Sequence, residues 1–277
     1  RRCTSSFNFI LLGGLGVPSV VVLVALFSGP VPTQHYEQTT EMGLYDRPPF
    51  LNLCRRALHL TVTMAPVLCA LPAALVFPSF QVSDAVIVHA LEKSGAAFIK
   101  WGQWASTRPD LLPRNLCNVL SKLHSGAPSH DFALTRTEVT RAVGVPLADY
   151  FESFDKRPIA SGSIGQVHLA RLGGQRVAVK VRHPGVQLEL QTDFYLMSWA
   201  AWTIQKLPGL SWLDAESTVR QFASTLVAQV DLEEEARNLR QMRHNFRSWS
   251  DVNFPRILLA SPTVLVETIA EGYPVSR

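Results

Sequence analysis

The chain has 277 residues, of which 47% are hydrophobic and 17% are charged, and its formal net charge is +4. This length allows one large domain or two modest ones with a buried core. The small positive charge, without a Lys/Arg tract interleaved with aromatic residues, argues against nucleic-acid binding. The four cysteines form no C-x-x-C pair, so the sequence indicates neither a zinc site nor a disulfide framework, and we expect a reduced compartment.

Residues 1–83 are predicted to form a membrane-proximal or targeting region. Residues 9–27 carry no charge, and Arg1 and Arg2 precede them. This run approaches the length that spans a bilayer and suits a membrane anchor or a targeting sequence. A first residue other than Met also indicates a fragment or a processed form.

A second uncharged run covers residues 60–77, but Pro66 and Pro72 interrupt it. Prolines at this density favour an interfacial, re-entrant or kinked segment over a regular span. We therefore expect at least one membrane-embedded segment in residues 1–83. The alternative is a hydrophobic targeting region without an anchoring role.

Residues 84–157 are predicted to be a helical segment that precedes a sheet. Across 84–106, one helical face collects the apolar residues Ile87, Leu91, Phe98, Trp101 and Ala105. Short helices are expected near 115–124 and 135–144. Between them, His130-Asp-Phe-Ala133 superficially resembles catalytic kinase motifs, but it precedes the motifs described below and is better interpreted as a polar turn.

Residues 158–277 begin with the pattern of a β-hairpin. Valine and leucine alternate with other residues on both arms, and Gly173-Gly174 supplies a two-residue turn between them. Helices are expected near 186–206 and 216–246, and a short strand lies in the Thr-Val-Leu-Val-Glu run that ends at Glu267. The predicted fold class is α+β.

The strongest chemical signal is a glycine-containing loop followed by a lysine on the next strand. In the pattern G-x-G-x-x-G-x-V, glycines let the backbone close over nucleotide phosphates, and the strand lysine pairs with them. Alanine replaces the first glycine here, and the candidate loop residues are Ala160, Ser161, Gly162, Ser163, Ile164, Gly165 and Val167. Ala178 and Lys180 follow within Val-Ala-Val-Lys. The alternative for Lys180 is a strand-edge lysine whose ammonium reaches solvent.

A phosphate-pairing lysine needs an acidic partner from a following helix. In the predicted helix 216–246, Asp231, Glu235 and Asn238 fall on one face. We predict Glu235 as the partner of Lys180, since the strand otherwise lacks a counter-charge. For Glu233 and Glu234 we favour a solvated helix surface.

Four stretches together resemble the UbiB-type atypical kinase-like family, within it the aarF-domain-containing group. They are Lys100-Trp-Gly-Gln103, the loop with its flanks, the strand lysine with the following V-R-H-P-G-V, and V-D-L-E-E-E-A-R-N. The resemblance covers about residues 84–277 and implies a protein-kinase-like N-lobe behind a helical K-x-G-Q extension. It also implies ATP or ADP binding with Mg²⁺, ATPase-like behaviour, and a role in coenzyme Q and lipid metabolism at the mitochondrial inner membrane. Nucleotide, membrane lipid and coenzyme Q biosynthesis proteins are the partners that it implies.

The resemblance implies that the extension with Lys100 and Gln103 folds over the nucleotide pocket and blocks a protein substrate; by periodicity alone both are ordinary polar-face residues. The sequence departs from the family pattern twice. The family loop usually reads Ala-Ala-Ala-Ser, whereas here it reads Ala160-Ser161-Gly162-Ser163, which is closer to an ordinary kinase loop and leaves the nucleotide preference open. The family E-x-D motif reads Gln229-Val-Asp231, so its first carboxylate is missing.

Phosphoryl transfer also needs a catalytic-loop Asp and a D-F-G Asp that holds Mg²⁺. The sequence contains neither H-x-D nor D-F-G. The final strand resembles the one that leads into a kinase hinge, where the Glu267 carbonyl and the Ile269 amide would face adenine. We therefore expect half of an ATP site without catalytic residues, and Mg²⁺ only in a chain with a complete C-lobe. A truncated family member is favoured over an isoform that cannot turn over.

Three functional hypotheses follow. The first is a membrane-tethered mitochondrial kinase-like protein that binds ATP. The second is a non-catalytic, membrane-associated scaffold or binding module. The third is a small membrane protein with an accidental loop match, which the ordered set of motifs disfavours.

Overall fold

The computed structural model describes residues 48–76, 83–110, 112–124, 127–206 and 214–270. The candidate membrane segment 9–27 lies outside these ranges. The elements before the sheet are α1 (Phe50–Val76), α2 (Asp84–Lys93), α3 (Ala96–Ser106), α4 (Arg114–Leu120), a 3-10 turn (Ser121–His124), α5 (Phe132–Val143) and α6 (Leu147–Tyr150). The elements that follow are β1 (Ser153–Phe154), β2 (Ala160–Ser161), β3 (Gly165–Leu172), β4 (Gln175–Arg182), α7 (Val186–Gln205), α8 (Ala215–Ala228), α9 (Leu232–Asn245), β5 (Ile257–Ala260) and β6 (Val264–Thr268).

The sheet is antiparallel, with strand order β1-β3-β4-β6-β5 and with β2 also paired to β3. Gly173 and Gly174 have φ angles of 58° and 75° and form the turn between β3 and β4. Positive φ at both central residues matches the right-handed twist of the flanking strands. The predicted hairpin and the predicted mixture of helices and strands are confirmed.

The two faces of β4 have different environments. Val177, Val179 and Val181 are fully buried and pack against Val139 of α5 and Phe151. Alternate residues of β4 point to the opposite face, which therefore carries Ala178 and Lys180. The burial of the valine face explains why α5 and α6, although they precede the sheet in the sequence, lie against it.

The predicted helix across 84–106 is wrong in one respect, because it is two helices. α2 ends before Ser94-Gly95 and α3 begins after it. Gly95 has a φ of 90°, and a Cβ at this position would lie 1.9 Å from Glu189 Oε1. The break also leaves Trp101 39% exposed, so it does not share a buried face with the apolar residues of α2.

The predicted helix 216–246 is also two helices, α8 and α9. The Asp231 carboxylate accepts a hydrogen bond from the Glu233 amide at 2.9 Å and caps α9. Asp231 precedes the helix as its N-cap, so the prediction that it shares a helical face with Glu235 is wrong. Its role is to satisfy an amide of the first turn, which the helix itself leaves unpaired.

The predicted segment 60–77 falls almost entirely within α1, which includes both prolines. Of the helices in the described ranges, none combines the length and apolarity needed to cross a membrane. α1 instead packs against α2 and α7. The Arg56 guanidinium joins it to α7 through bonds of 2.6 and 2.7 Å to the two carboxylate oxygens of Asp193.

Candidate functional site

The candidate loop is a tight turn between β2 and β3. Ala160 pairs with Val167, and the Gly162 amide donates to the Gly165 carbonyl at 2.9 Å. We call residues 162–165 the 162–165 turn. A Cβ on Gly165 would lie 2.6 Å from the Val181 carbonyl oxygen, whereas a Cβ on Gly162 would meet nothing closer than 3.7 Å. Of these two positions, only position 165 sterically requires glycine.

Helix α3 of the extension packs against the 162–165 turn. Ile164 is 7% exposed and belongs to one apolar cluster with Ala96 and Ala97 of α3 and with residues of α7 and α8. The Ser163 hydroxyl is buried and has no hydrogen-bond partner among the described residues. The turn is therefore held by the extension rather than projecting freely into solvent.

The structure brings Lys180 and Glu235 together. The Lys180 ammonium donates to the Glu235 carboxylate, and this contact joins β4 to the first turn of α9. The side chains are 30% and 42% exposed, so the pair is accessible to a ligand. Packing of Leu232 and Ala236 of α9 against Leu265 of β6 fixes the distance between helix and sheet.

Two further charged side chains lie near this pair. Burial raises the pKa of Glu267, and the nearby Glu235 raises it further while Lys180 lowers it. Burial also lowers the pKa of Lys100 on α3, and the positive charge of Lys180 adds to this effect. Four elements thus place two ammonium groups and two carboxylates in one region, an arrangement suited to binding a polyanion through the ammonium groups.

The surface beside these charges is apolar. Val167 and Leu169 of β3 pair with Lys180 and Ala178 of β4, and Ala178 pairs in turn with Glu267. Directly paired residues of a sheet share one face, and Val167, Leu169 and Ala178 are only partly buried. An aromatic ring could therefore lie on this apolar surface while phosphates reach the ammonium groups.

The two polar residues of the K-x-G-Q motif have different contacts. Lys100 lies near Lys180, as stated above, but Gln103 Nε2 donates to the Leu123 carbonyl at 2.9 Å. A Cβ on Gly102 would lie 2.3 Å from Leu123 Cδ1, so the glycine admits a side chain rather than a second backbone. Gln103 and Gly102 therefore fasten α3 to the 3-10 turn, and Lys100 alone extends toward the site.

The remaining candidates lie at the edges of this region. Glu267 sits on β6 between β4 and β5, with Cα partners Ala178 and Ile257, and Ile269 follows the end of that strand. Whether their backbone groups meet adenine stays a prediction. In the part of the chain that the structure describes, no group of three or more His, Cys, Asp or Glu side chains is placed to hold a metal ion.

Sequence reasoning missed the polar residues on the buried face of β3. The predicted apolar positions Val167 and Leu169 are partly buried, while Gln166 and His168 between them are fully buried. Alternation alone would have placed Gln166 and His168 toward solvent. The sequence signal for their burial is weak: two polar residues alternate with apolar residues in one strand. Other elements pack on both faces of this sheet, and the sequence alone does not show that.

The sequence is similar to those of several known proteins. Residues 122–277 match the family model of the ABC1 atypical kinase-like domain. A Dictyostelium discoideum protein named probable serine/threonine-protein kinase abkC is 35% identical over 224 residues, which cover 79% of this chain and 32% of that protein. A mitochondrial ABC1 family protein of Saccharomyces cerevisiae is 33% identical over 207 residues, covering 68% of this chain and 32% of that protein. The probable protein kinase UbiB of Tolumonas auensis is 35% identical over 200 residues, covering 71% and 37%. The chain thus spans about a third of the length of these relatives.

Proposed function

Because the chain belongs to the ABC1 atypical kinase-like family, we propose that its sheet binds ATP or ADP as the nucleotide-binding half of a kinase-like protein. The contact between Lys180 and Glu235 carries this proposal. In protein kinases a strand lysine needs a helix glutamate in place before it can position phosphates. The same pair of residue types, on a strand and a helix, is assembled here.

Each group of the site has a place in this proposal. Lys180 binds phosphate oxygens and Glu235 holds its ammonium in position, while Lys100 supplies a second cation from the extension. The apolar surface of Val167 and Ala178 supports the base. The Glu267 carbonyl and the Ile269 amide bind the edge of adenine.

Catalysis is a separate matter from binding. A bound Mg²⁺ would supply positive charge that offsets the charge of the transferred phosphoryl group. The described residues contain no group of three or more His, Cys, Asp or Glu side chains placed to hold a metal ion. Phosphoryl transfer would therefore need acidic residues that the 277-residue sequence lacks, such as those of H-x-D and D-F-G.

The nucleotide proposal is tested by thermal unfolding of the chain with and without ATP or ADP, each with Mg²⁺. A ligand at a hundred times its dissociation constant stabilises by about 2.7 kcal/mol, which corresponds to roughly 5–10 °C for a chain of this size. Lys180→Met should abolish the shift. Lys122→Met should retain it, because Lys122 pairs with Asp84 on the extension surface.

A folded chain whose midpoint ignores both nucleotides would contradict the proposal. It would favour the alternative of a non-catalytic binding module or scaffold. A shift that persists in Lys180→Met would show that nucleotide binds elsewhere.

One surface favours a second role at a membrane. Along α1, an exposed stripe with helical spacing consists of Leu51, Leu58, Val62, Pro66 and Cys69. Arg55 is exposed within this stripe, between Leu51 and Leu58, and His59 is exposed beside it. An apolar stripe with adjacent basic groups is suited to lying in the interface of an anionic bilayer. We therefore propose membrane lipid as a partner of α1.

Vesicle flotation tests this membrane role. The double variant Leu58→Glu, Val62→Glu should lose binding to vesicles that contain anionic lipid. Leu134→Glu changes an exposed leucine on α5 and should retain binding. Equal flotation of both variants would refute the proposed surface.

We also propose a location at the mitochondrial inner membrane and a role in coenzyme Q and lipid metabolism, in contact with coenzyme Q biosynthesis proteins. The mitochondrial label of the yeast relative supports the organelle. Fractionation of mitochondria, together with coenzyme Q content after depletion of the protein, tests both parts. A soluble matrix protein, or unchanged coenzyme Q, would contradict the corresponding part.

A further inference from the structure

A continuous series of hydrogen bonds runs from the Asp155 carbonyl, next to β1, to the Gly162 carbonyl of the 162–165 turn. His168 Nδ1 lies 2.8 Å from the Asp155 oxygen, and His183 Nε2 lies 2.8 Å from the Gly162 oxygen. The contacts between these ends are His168 Nε2–Gln166 Nε2 at 3.0 Å, Gln166 Nε2–Thr135 Oγ1 at 3.1 Å, Thr135 Oγ1–His130 Nε2 at 2.9 Å and His130 Nδ1–His183 Nδ1 at 2.6 Å. We call this series the histidine chain.

The centre of the histidine chain is inaccessible to water. Thr135, Gln166 and His168 are all 0% exposed. Buried polar groups must find partners within the protein, since an unsatisfied donor or acceptor costs its full desolvation. The proton positions in this chain are therefore determined by the contacts themselves.

With neutral imidazoles, these contacts allow a single arrangement of protons. A carbonyl oxygen only accepts, so His168 carries its proton on Nδ1 and His183 carries its proton on Nε2. His183 Nδ1 then accepts, which requires His130 to donate from Nδ1.

The middle of the chain follows from the same rule. His130 Nε2 must accept, so the Thr135 hydroxyl donates to it and accepts in turn from the Gln166 amide. The second amide proton of Gln166 goes to His168 Nε2. The Gln166 Oε1 atom accepts from the His130 backbone amide at 2.9 Å, which fixes the orientation of that side chain. Every donor in the series thus meets an acceptor.

The neutral state agrees with the environment of the three rings. Burial lowers the pKa of His168 and of His183. Burial, together with His183 and His168, lowers the pKa of His130 to about 4. All three rings are therefore neutral near pH 7.

The end of the histidine chain holds the 162–165 turn at two points. The His183 ring donates to the Gly162 carbonyl, and the His183 backbone amide donates to the Ile164 carbonyl at 2.8 Å. On the other side, the Ser161 hydroxyl donates to the Pro128 carbonyl at 3.1 Å. The segment before α5 therefore contacts Ser161, next to the turn, directly and reaches the turn itself through His130.

We propose that His183 is a positioning residue for the 162–165 turn, and that the histidine chain fixes it in the tautomer that binds the Gly162 carbonyl. The proposal rests on the nucleotide-binding function proposed above. A carbonyl oxygen that turned toward bound phosphates would repel them. By donating a hydrogen bond to the Gly162 carbonyl oxygen, His183 keeps the turn in one conformation and prevents this oxygen from turning toward the phosphates.

The tautomers are the first test, because they do not depend on nucleotide. In histidine ¹⁵N spectra of the full chain near pH 7, we expect the Nδ1–H form for His130 and His168 and the Nε2–H form for His183. Any other combination would overturn the histidine chain.

The second test compares Thr135→Val with Thr135→Ser. Valine keeps the shape but removes the donor to His130, whereas serine retains it. We expect faster hydrogen exchange at the Gly162 amide in Thr135→Val and unchanged exchange in Thr135→Ser. Equal exchange in both variants would show that the histidine chain does not hold the 162–165 turn.

The third test is nucleotide affinity, with ADP and ATP as probes in the presence of Mg²⁺. His183→Leu and Thr135→Val should each weaken binding about 3- to 10-fold, the range of one hydrogen bond between neutral groups. His183→Gln retains a donor and an acceptor and should bind within about 2-fold of the wild type. Equal affinities for His183→Leu and His183→Gln would overturn the positioning role. If the wild type binds no nucleotide, the proposed function fails, while the tautomer and exchange tests still decide the histidine chain.

Discussion

Glu235 holds the ammonium of Lys180 next to a surface that is open to ligand, so the effect of its neutral isostere can be predicted. Glu235→Gln should lower nucleotide affinity about tenfold, because Lys180 is then free to turn toward Glu267. The free energy of unfolding should fall by less than about 1 kcal/mol, since the pair is partly exposed. Isothermal titration and urea unfolding measure the two quantities.

Glu234→Gln is the matched control on the same helix, where Glu234 pairs with Arg237. It should change neither quantity measurably. A large loss of stability in Glu235→Gln, with affinity retained, would make the Lys180 contact structural rather than functional.

The two glycines of the 162–165 turn allow a second test at the scale of single residues. Gly165→Ala places a methyl group 2.6 Å from the Val181 carbonyl oxygen and should force β3 away from β4, with a loss of about 2 kcal/mol or more. An alanine Cβ at position 162 would meet nothing closer than 3.7 Å, so Gly162→Ala should not lower the midpoint of thermal unfolding. A destabilising Gly162→Ala would mean that the turn needs a conformation that only glycine adopts.

Sequence patterns predicted the Lys180–Glu235 contact because each partner sits in a local motif of fixed spacing. They could not predict Glu267 as a neighbour of this pair, because its proximity depends on the register between β4 and β6. They also gave no indication that Gln166 and His168 are buried, since alternation reports which residues are polar and not which polar residues have buried partners.

At the scale of elements, Arg56 joins α1 to α7. Its guanidinium donates to both carboxylate oxygens of Asp193, to the Ser94 carbonyl at 2.6 Å and to Glu189 at 3.0 Å. Asp193 is fully buried. Arg56→Met should therefore cost about 3–5 kcal/mol in unfolding free energy, because it leaves a buried carboxylate unpaired.

Urea unfolding measures this cost. Arg55→Met changes the adjacent, exposed arginine and should have little effect. The double variant Arg56→Met, Asp193→Leu should recover much of the loss, since it removes both charges. Equal losses in Arg55→Met and Arg56→Met would show that the ion pair does not join the two helices.

The interruptions of two helices show what local sequence could and could not specify. The break before α9 had a signal, because Asp231 is followed three residues later by Glu234 and satisfies the pattern of a helix N-terminus. The break at Ser94-Gly95 had a weaker one, a single glycine within an apolar period. Its position is explained by Glu189 and Arg56 of other helices, which lie within 3.0 Å of a Cβ built on Gly95. No local pattern contains that information.

At the scale of the whole molecule, two buried groups give opposite dependences of stability on pH. Burial raises the pKa of Asp193 to about 6. The folded state therefore binds this proton more tightly than the unfolded state, and the resulting contribution to the free energy of unfolding is present at low pH and is lost as the pH rises toward 6. Burial lowers the pKa of His130 to about 4. The unfolded state therefore binds this proton more tightly, and the contribution of neutral His130 to the free energy of unfolding is present above pH 6.5 and is lost as the pH falls toward 4. The charged or titratable groups that act on them are Arg56, Glu189, His59, His183, His168, Asp131 and Glu138.

These signs predict the effects of two variants between pH 4 and 6.5. Relative to the wild type, Asp193→Asn should make stability rise more steeply with pH, and His130→Gln should make it rise less steeply or fall. Unfolding free energies at several pH values measure the slopes. Slopes that do not differ from the wild-type slope would show that neither group has a pKa altered by folding.

The predicted division into residues 84–157 and 158–277 also has a consequence for unfolding, because the two segments share buried surfaces. Val139 of α5 is 0% exposed and packs with Val177 and Val179 of β4. Val139→Ala should cost about 2 kcal/mol through lost burial and a small cavity. If the two segments unfold as one unit, Val139→Ala must also speed hydrogen exchange at the β4 amides. The free energy of opening measured at these amides should then fall by the same amount as the global free energy of unfolding. Val145→Ala alters an exposed valine beyond the end of α5 and should leave exchange unchanged. Faster exchange confined to α5 and α6 would instead show that the extension unfolds independently of the sheet.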